Sequence, residues 1–405
     1  MDRRAFLEGA GILALAQLTS GCSDGDQASL KVRILKNSIP AQLIGEFRRE
    51  LKQAANLKFE PESQLEELFN YLIALKRQGN KKEPQQQWRL PWIGGNTATN
   101  ADLVTLGDYW LEKAIEQQLI QPLEIKDLKG WKQLPQAWRD LVERDRQEKE
   151  EKEKKIKEIW GAPYRWGTTV IIYDRNKFKA LGWKPKDWSD LWRPELRDRI
   201  SLLDQPREVI GLTLKKLGLS YNQEDLSQVP KLKEELQRLH QQVKFYSSDN
   251  YLQPLILGDT WVAVGWSTDV VPLQSSQPQL TAIVPQSGTA LWADLWVKPA
   301  SVAPGSNSVN KGDGQALIKE WIDFCWQPKP ASDITLLSKA ASPIFASIKN
   351  ADLPQALRDD RLLLPDASVF KKSEFLKPLP KYALEKYQSL WQEIRRLKVS
   401  ESRKS

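Results

Sequence analysis

Histidine and thiol chemistry are almost absent from this chain. Among 405 residues there is one histidine, His240, and there are two cysteines, Cys22 and Cys325. Histidine- or thiolate-rich metal sites, Cys–His nucleophile pairs and a disulfide framework are therefore nearly excluded, and only an all-oxygen cation site stays open. No apolar run reaches the roughly 20 residues that a membrane-spanning helix needs. No Gly-x-Ser-x-Gly elbow, phosphate-cradling glycine-rich loop or paired metal-ligand motif occurs, so neither an enzyme nor a cofactor is expected. The net charge of +8 is a weak excess without a basic stripe. It suits an anionic membrane surface better than a nucleic-acid partner.

What is present points to a large globular protein. A chain of this length exceeds one ordinary hydrophobic core, so two lobes are the starting expectation. Apolar residues make up 40% and charged residues 28%, which excludes wholesale disorder. Seventeen tryptophans against a single methionine supply aromatic surface for cores and ligand walls.

The N-terminus reads as an address. Arg3-Arg4 and Phe6-Leu7 precede an apolar stretch from Gly9 to Leu18, followed by Thr19-Ser20-Gly21-Cys22. Paired arginines, a short apolar run and a small-residue site describe an export signal over residues 1–21. The pattern resembles a twin-arginine signal ending in a lipobox, which makes Cys22 the lipidated first residue of the exported protein. Thr19 departs from the leucine usual in that motif. Residues 22–29 then form a polar tether, as a lipid-anchored globule requires. The bland alternative is a buried amphipathic N-terminal helix with an incidental cysteine.

Along the chain, short strands alternate with amphipathic helices, which indicates an α/β architecture with a parallel or mixed sheet. Val32 to Leu35 reads as a strand and Pro40 opens a helix. Ser63-Gln64-Leu65-Glu66 has the form of a capping box. Ala101 to Leu106 reads as a second strand, after which Asp108 can cap a helix through Leu119. Residues 143–158 are almost entirely charged, with opposite signs at three- and four-residue separations, and predict a solvated helical insertion. Thr168 to Tyr173 and Trp261 to Trp266 read as further strands, and helical patterning dominates from Lys311.

Four separated segments carry a resemblance. They are Ala162 to Thr169; Trp188 to Arg197 with Ile200 to Val209; Leu217 to Asn222; and Gly265 to Asp269 with Val284 to Asp294. In order and spacing they resemble the extracellular solute-binding proteins of ABC importers, specifically the spermidine/putrescine-binding branch. The resemblance implies a two-lobed type II periplasmic-binding fold with the ligand in the cleft between lobes, closing by a hinge. It places the first part of lobe 1 at residues 30–163, lobe 2 at 164–292, the second part of lobe 1 at 293–345, and C-terminal helices packing across the lobes at 346–405. It also implies a monomer in the periplasm, lipid-anchored to a membrane, that passes a small solute to a membrane permease.

A polyamine site needs carboxylates for its ammonium groups and aromatic faces for cation–π and methylene contact. The resemblance implies ligand contacts from Glu208, Asp269 and Asp294, with Tyr109, Trp266 and Trp292 as aromatic walls. Trp292 and Asp294 stand two apart, so an extended segment turns both to one side. Glu208 could instead pair with Arg207, and Asp269 could be a helix cap. Lys36 in the first loop, Gly107 and Gln205 depart from the branch pattern. A polyamine and a zwitterion, with an anionic end facing Lys36, therefore both stay open. A structural or assembly lipoprotein that keeps the fold without binding a solute is the alternative from another functional class.

Overall fold

The computed structural model describes residues 28–79, 100–145, 157–300, 311–348 and 352–397. Arg3, Arg4 and Cys22, with the expected signal, lie outside the described residues. Strand Ser29–Leu35 turns Leu30, Val32 and Ile34 inward, the period-two pattern of a strand with one face on a core. It pairs in parallel with Asn56–Glu62 and with Leu103–Gly107. The crossovers are helices, Ala41–Glu50 and Leu65–Gly79. At the start of the second helix the backbone N–H groups of Ser63 and Gln64 donate to Glu67, one residue beyond the acid that the capping pattern indicates.

Strand Ala162–Asp174 runs through both halves of the molecule. Its first part pairs antiparallel with strand Ala290–Pro299, and its last part, from Thr169, pairs antiparallel with Val262–Trp266. The change of partner falls between Thr168 and Thr169. Beyond Val262–Trp266 the second half continues in parallel through Ile200–Leu202 and Val243–Tyr246. Strand Ala290–Pro299 joins the first half to Leu103–Gly107 on its other edge.

Two principal cores follow from this wiring. One gathers residues from Leu30 to Trp166 with residues from Leu291 to Phe375, so two separated stretches of the sequence build the first lobe. The other gathers residues from Ile171 to Ala290 and receives Ala383, Tyr387, Trp391 and Ile394 of the final helix, Lys381–Arg396. The link into that helix is fastened to the second lobe by polar contacts. Glu374 accepts from Lys215, Ser220 and the Tyr221 backbone, and Asn222 accepts from the Lys377 backbone.

Two local expectations are corrected. The charged segment 143–158 is not helical at its ends: Glu143–Asp145 and Lys157–Ile159 pair as antiparallel strands, and residues 146–156 lie outside the described residues. The ladder sets Arg144 opposite Glu158, so the charge alternation that would support helical pairs supports cross-strand pairs instead. After strand Leu103–Gly107, Asp108 opens a single 3-10 turn, Asp108–Trp110, and the helix proper is only Leu111–Glu116. The Asp108 carboxylate accepts from the Ala293 backbone N–H at 3.1 Å and so ties this turn to the neighbouring strand.

Candidate functional site

Antiparallel register decides which side chains share a face, because directly opposed residues point the same way. Asp294 is opposed by Gly107 on one side and Arg165 on the other, Trp292 by Gly167, and Trp266 by Thr169. Positions 165, 167 and 169 alternate along one strand, as do 292 and 294 along its neighbour. One face of the shared sheet therefore carries Asp294, Arg165, Trp292, Thr169 and Trp266 where the lobes meet. Gly107 and Gly167 leave it low. A Cβ on Gly167 would stand 2.3 Å from the Trp292 ring and 2.6 Å from the Ser267 hydroxyl, so glycine is what lets the indole lie across the strand.

Helix starts bring the remaining groups to this face. Glu208 sits in the first turn of helix Pro206–Lys216 and is buried. Thr169 Oγ1 donates to both of its oxygens at 3.1 Å, and Trp266 Nε1 donates at 3.4 Å. Burial pushes its carboxyl up to about 7 against these bonds. Arg207 does not take Glu208 as an ion-pair partner. Its guanidinium donates to Lys377 O and Asn222 Oδ1 and lies 5.4 Å from the Tyr387 ring.

Asp269 stands in the first turn of helix Ser267–Ser276, whose N-cap is Trp266 with no side-chain bond, so Asp269 does not cap it. Its Oδ2 accepts from the Tyr251 hydroxyl at 2.8 Å, and that hydroxyl accepts from the Trp266 backbone N–H at 3.1 Å. The carboxylate is reached by solvent, yet dense surroundings still raise its pKa. The Arg165 charge, which helps hold that pKa down, links it to the other wall.

Among the described residues Asp294 is the one candidate acid with an ion-pair partner of its own. Arg165 Nε donates to Asp294 Oδ2 at 2.6 Å, with side chains 5% and 2% exposed, and the guanidinium lies 6.0 Å from the Trp292 ring. Burial raises the Asp294 carboxyl and Arg165 pulls it back. Asp108, beside it, is pushed up to about 7 by burial, helped by the Asp294 charge. Tyr109 is 65% exposed and packs edge-on against Trp110 at 5.3 Å. It is the most peripheral of the six candidates.

The structure thus draws Glu208, Trp266, Asp269, Trp292 and Asp294 together where the lobes meet and leaves Tyr109 at the edge. Sequence reasoning assigned no role to Arg165, Thr169 or Tyr251, and read Asp108 only as a helix cap. Arg165 had a usable signal, an arginine inside an otherwise apolar and aromatic run, whereas Tyr251 lies in a loop with no pattern to single it out. A separate groove of about 730 Å³, lined by residues including Phe345, Leu353 and Arg358, carries none of the candidates.

Known proteins share this arrangement of strands. Spermidine/putrescine-binding periplasmic protein 1 of Haemophilus influenzae is 27% identical over 298 residues, 73% of this chain and 75% of that protein. The putrescine-binding periplasmic protein of Escherichia coli is 28% identical over 302 residues, 69% of this chain and 74% of that protein. Among solved structures, a spermidine/putrescine ABC transporter substrate-binding protein of Streptococcus pneumoniae superposes with a TM-score of 0.70 at 21% identity. It covers 91% of this chain and 99% of that one, and establishes the mixed α/β periplasmic-binding fold. Residues 98–373, which contain the long shared strand, its partner and every candidate side chain, match the family model for bacterial extracellular solute-binding proteins. The chain belongs to that family.

Proposed function

We propose that this chain is the substrate-binding component of an ABC importer, that it captures a small amine between its lobes, and that hinge closure presents the solute to a membrane permease. The observation that carries this reading is the pair of carboxylates beside Trp266. Among the described residues Glu208 and Asp269 accept from neutral donors, Thr169, Trp266 and Tyr251, so neither is taken up by a resident cation and both are left to meet an incoming ammonium group, whose charge would favour their ionised forms. The indole face of Trp266 adds cation–π and methylene contact. Relatives named for spermidine and putrescine agree in chemistry with such a site. Titration calorimetry of the purified protein with aliphatic amines tests it: saturable binding that Glu208→Gln weakens supports the reading, and no heat from any amine overturns it.

Export and anchoring belong to the same proposal. Arg3-Arg4 would direct a folded protein across the membrane, and Cys22 would carry the lipid. Mass spectrometry of membrane-extracted protein should find a diacylglyceryl mass on Cys22, and Cys22→Ala should release the protein from the membrane.

A second reading is a lipoprotein that keeps the fold without taking up a solute. Its support is that several of the groups concerned already have internal occupants: Arg165 on Asp294, and the Trp292 ring filling the space over Gly167. A flat thermal-shift response to amines, amino acids and polar solutes alike would favour it.

A further inference from the structure

Of the carboxylates that meet between the lobes, Asp294 differs in kind from Glu208 and Asp269. Its charge is met at 2.6 Å by the nearly buried guanidinium of Arg165, which also lies 6.0 Å from the Trp292 ring. An ammonium group arriving there would meet a resident cation holding both the carboxylate and the indole. The groups this end still offers are donors. Among the described residues Trp292 Nε1 is buried without a hydrogen-bond partner, and donors left over inside a protein are costly unless something accepts from them. The guanidinium brings further N–H groups in a planar fork suited to a carboxylate. The opposite end, at Glu208, Asp269 and Trp266, offers acceptors and an aromatic face.

We infer that Arg165 sets the specificity of the cleft, reserving it for a solute with one ammonium group, held by Glu208 and Asp269, and a carboxylate at its other end, held by Arg165 and Trp292 Nε1. An aliphatic amino acid has that polarity and a diamine does not. The inference rests on reading the cleft as an amine site and adds to it the chemistry of the second end. Asp294 in this arrangement is a positioning residue: it holds the guanidinium against the strand and keeps the Arg165 charge tolerable inside the protein.

Calorimetry with pairs of equal chain length separates the cases: 1,4-diaminobutane against 4-aminobutanoate, and 1,6-diaminohexane against 6-aminohexanoate. The wild-type protein should prefer the amino acid of a pair by about tenfold or more, since an unmatched charge at a closed site is what discriminates. Arg165→Met should reverse the order, because Asp294 then becomes free for a second ammonium group. Should Arg165→Met fold poorly, the Arg165→Met/Asp294→Asn protein, which buries no unpaired charge, should show the preference abolished in both directions. Diamines that bind the wild type as tightly as the matched amino acids would overturn the inference while leaving the amine site intact. If neither class binds, the reading of the cleft fails and this inference with it.

Discussion

Arg165 and Asp294 face each other from adjacent antiparallel strands, 2.6 Å apart, as a nearly solvent-free ion pair at the junction of the lobes. Taking two charges out of water costs several kcal/mol each, so such a pair adds little net stability even though breaking it is severe. Asp294→Asn or Arg165→Met alone should therefore destabilise the fold by about 3–5 kcal/mol, because each leaves an uncompensated buried charge. The double replacement should recover most of that loss. Urea denaturation of the four proteins closes the cycle, and additive single losses would show that the two groups are not coupled.

Glu208 makes stability depend on pH in a direction opposite to that of most carboxylates. Its folded pKa is raised from 4.5 to about 7 by burial, so the folded state holds a proton that the unfolded chain has released. The associated stability is complete below the unfolded value and is lost as pH rises through about 7. A shift of this size corresponds to about 3 kcal/mol between pH 4 and pH 8. Asp108 pulls the same way, being raised to about 7. Glu208→Gln should remove its own share, leaving a shallower decline in the urea midpoint between pH 5 and pH 8. A wild-type midpoint that rises over this interval would contradict the placement of Glu208.

A methyl group at position 167 tests how the face is built. Alanine there would bring Cβ to 2.3 Å from the Trp292 ring and 2.6 Å from Ser267 Oγ, which accepts from the Thr168 backbone N–H at 3.2 Å. Something must shift, and overpacking of this kind costs about 1–3 kcal/mol. Gly167→Ala should lower the thermal midpoint and change the Trp292 environment. Comparing fluorescence with Trp292→Phe in both backgrounds isolates that indole.

The alternation of strands and amphipathic helices was legible because burial imposes periodicity. Leu30, Val32 and Ile34 mark the first strand, and Leu43 and Phe47 mark the first helix. The long strand Ala162–Asp174 was legible only in its second half. Its first half contains Pro163, Arg165 and Gly167, which read locally as interruptions, and it is held extended by pairing with a strand more than a hundred residues away. The same non-local pairing hid the role of Arg165. Position alone could suggest that Trp292 and Asp294 share a face, but only the register shows a cation opposite Asp294. The charged segment misled for a related reason: its alternation satisfies a helix and a hairpin equally, and the choice depends on which ends meet.

Tyr251 offers the cleanest separation of a positioning role from packing. Its ring occupies the space where a Cβ on Gly265 would stand, 1.8 Å from the nearest ring carbon, so phenylalanine keeps the fit and deletes only the oxygen. That oxygen donates to Asp269 at 2.8 Å and accepts from the Trp266 backbone at 3.1 Å. Its removal leaves a backbone donor unsatisfied, which costs about 1–3 kcal/mol of stability. It also removes a bond that favours the ionised form of Asp269, so the carboxyl pKa, already raised by its surroundings, should rise further. Amine affinity should fall in Tyr251→Phe, because Asp269 loses the donor that holds it and favours its charged form. A purely structural tyrosine would lower stability and leave amine affinity unchanged, so calorimetry on Tyr251→Phe beside its urea denaturation distinguishes the two roles.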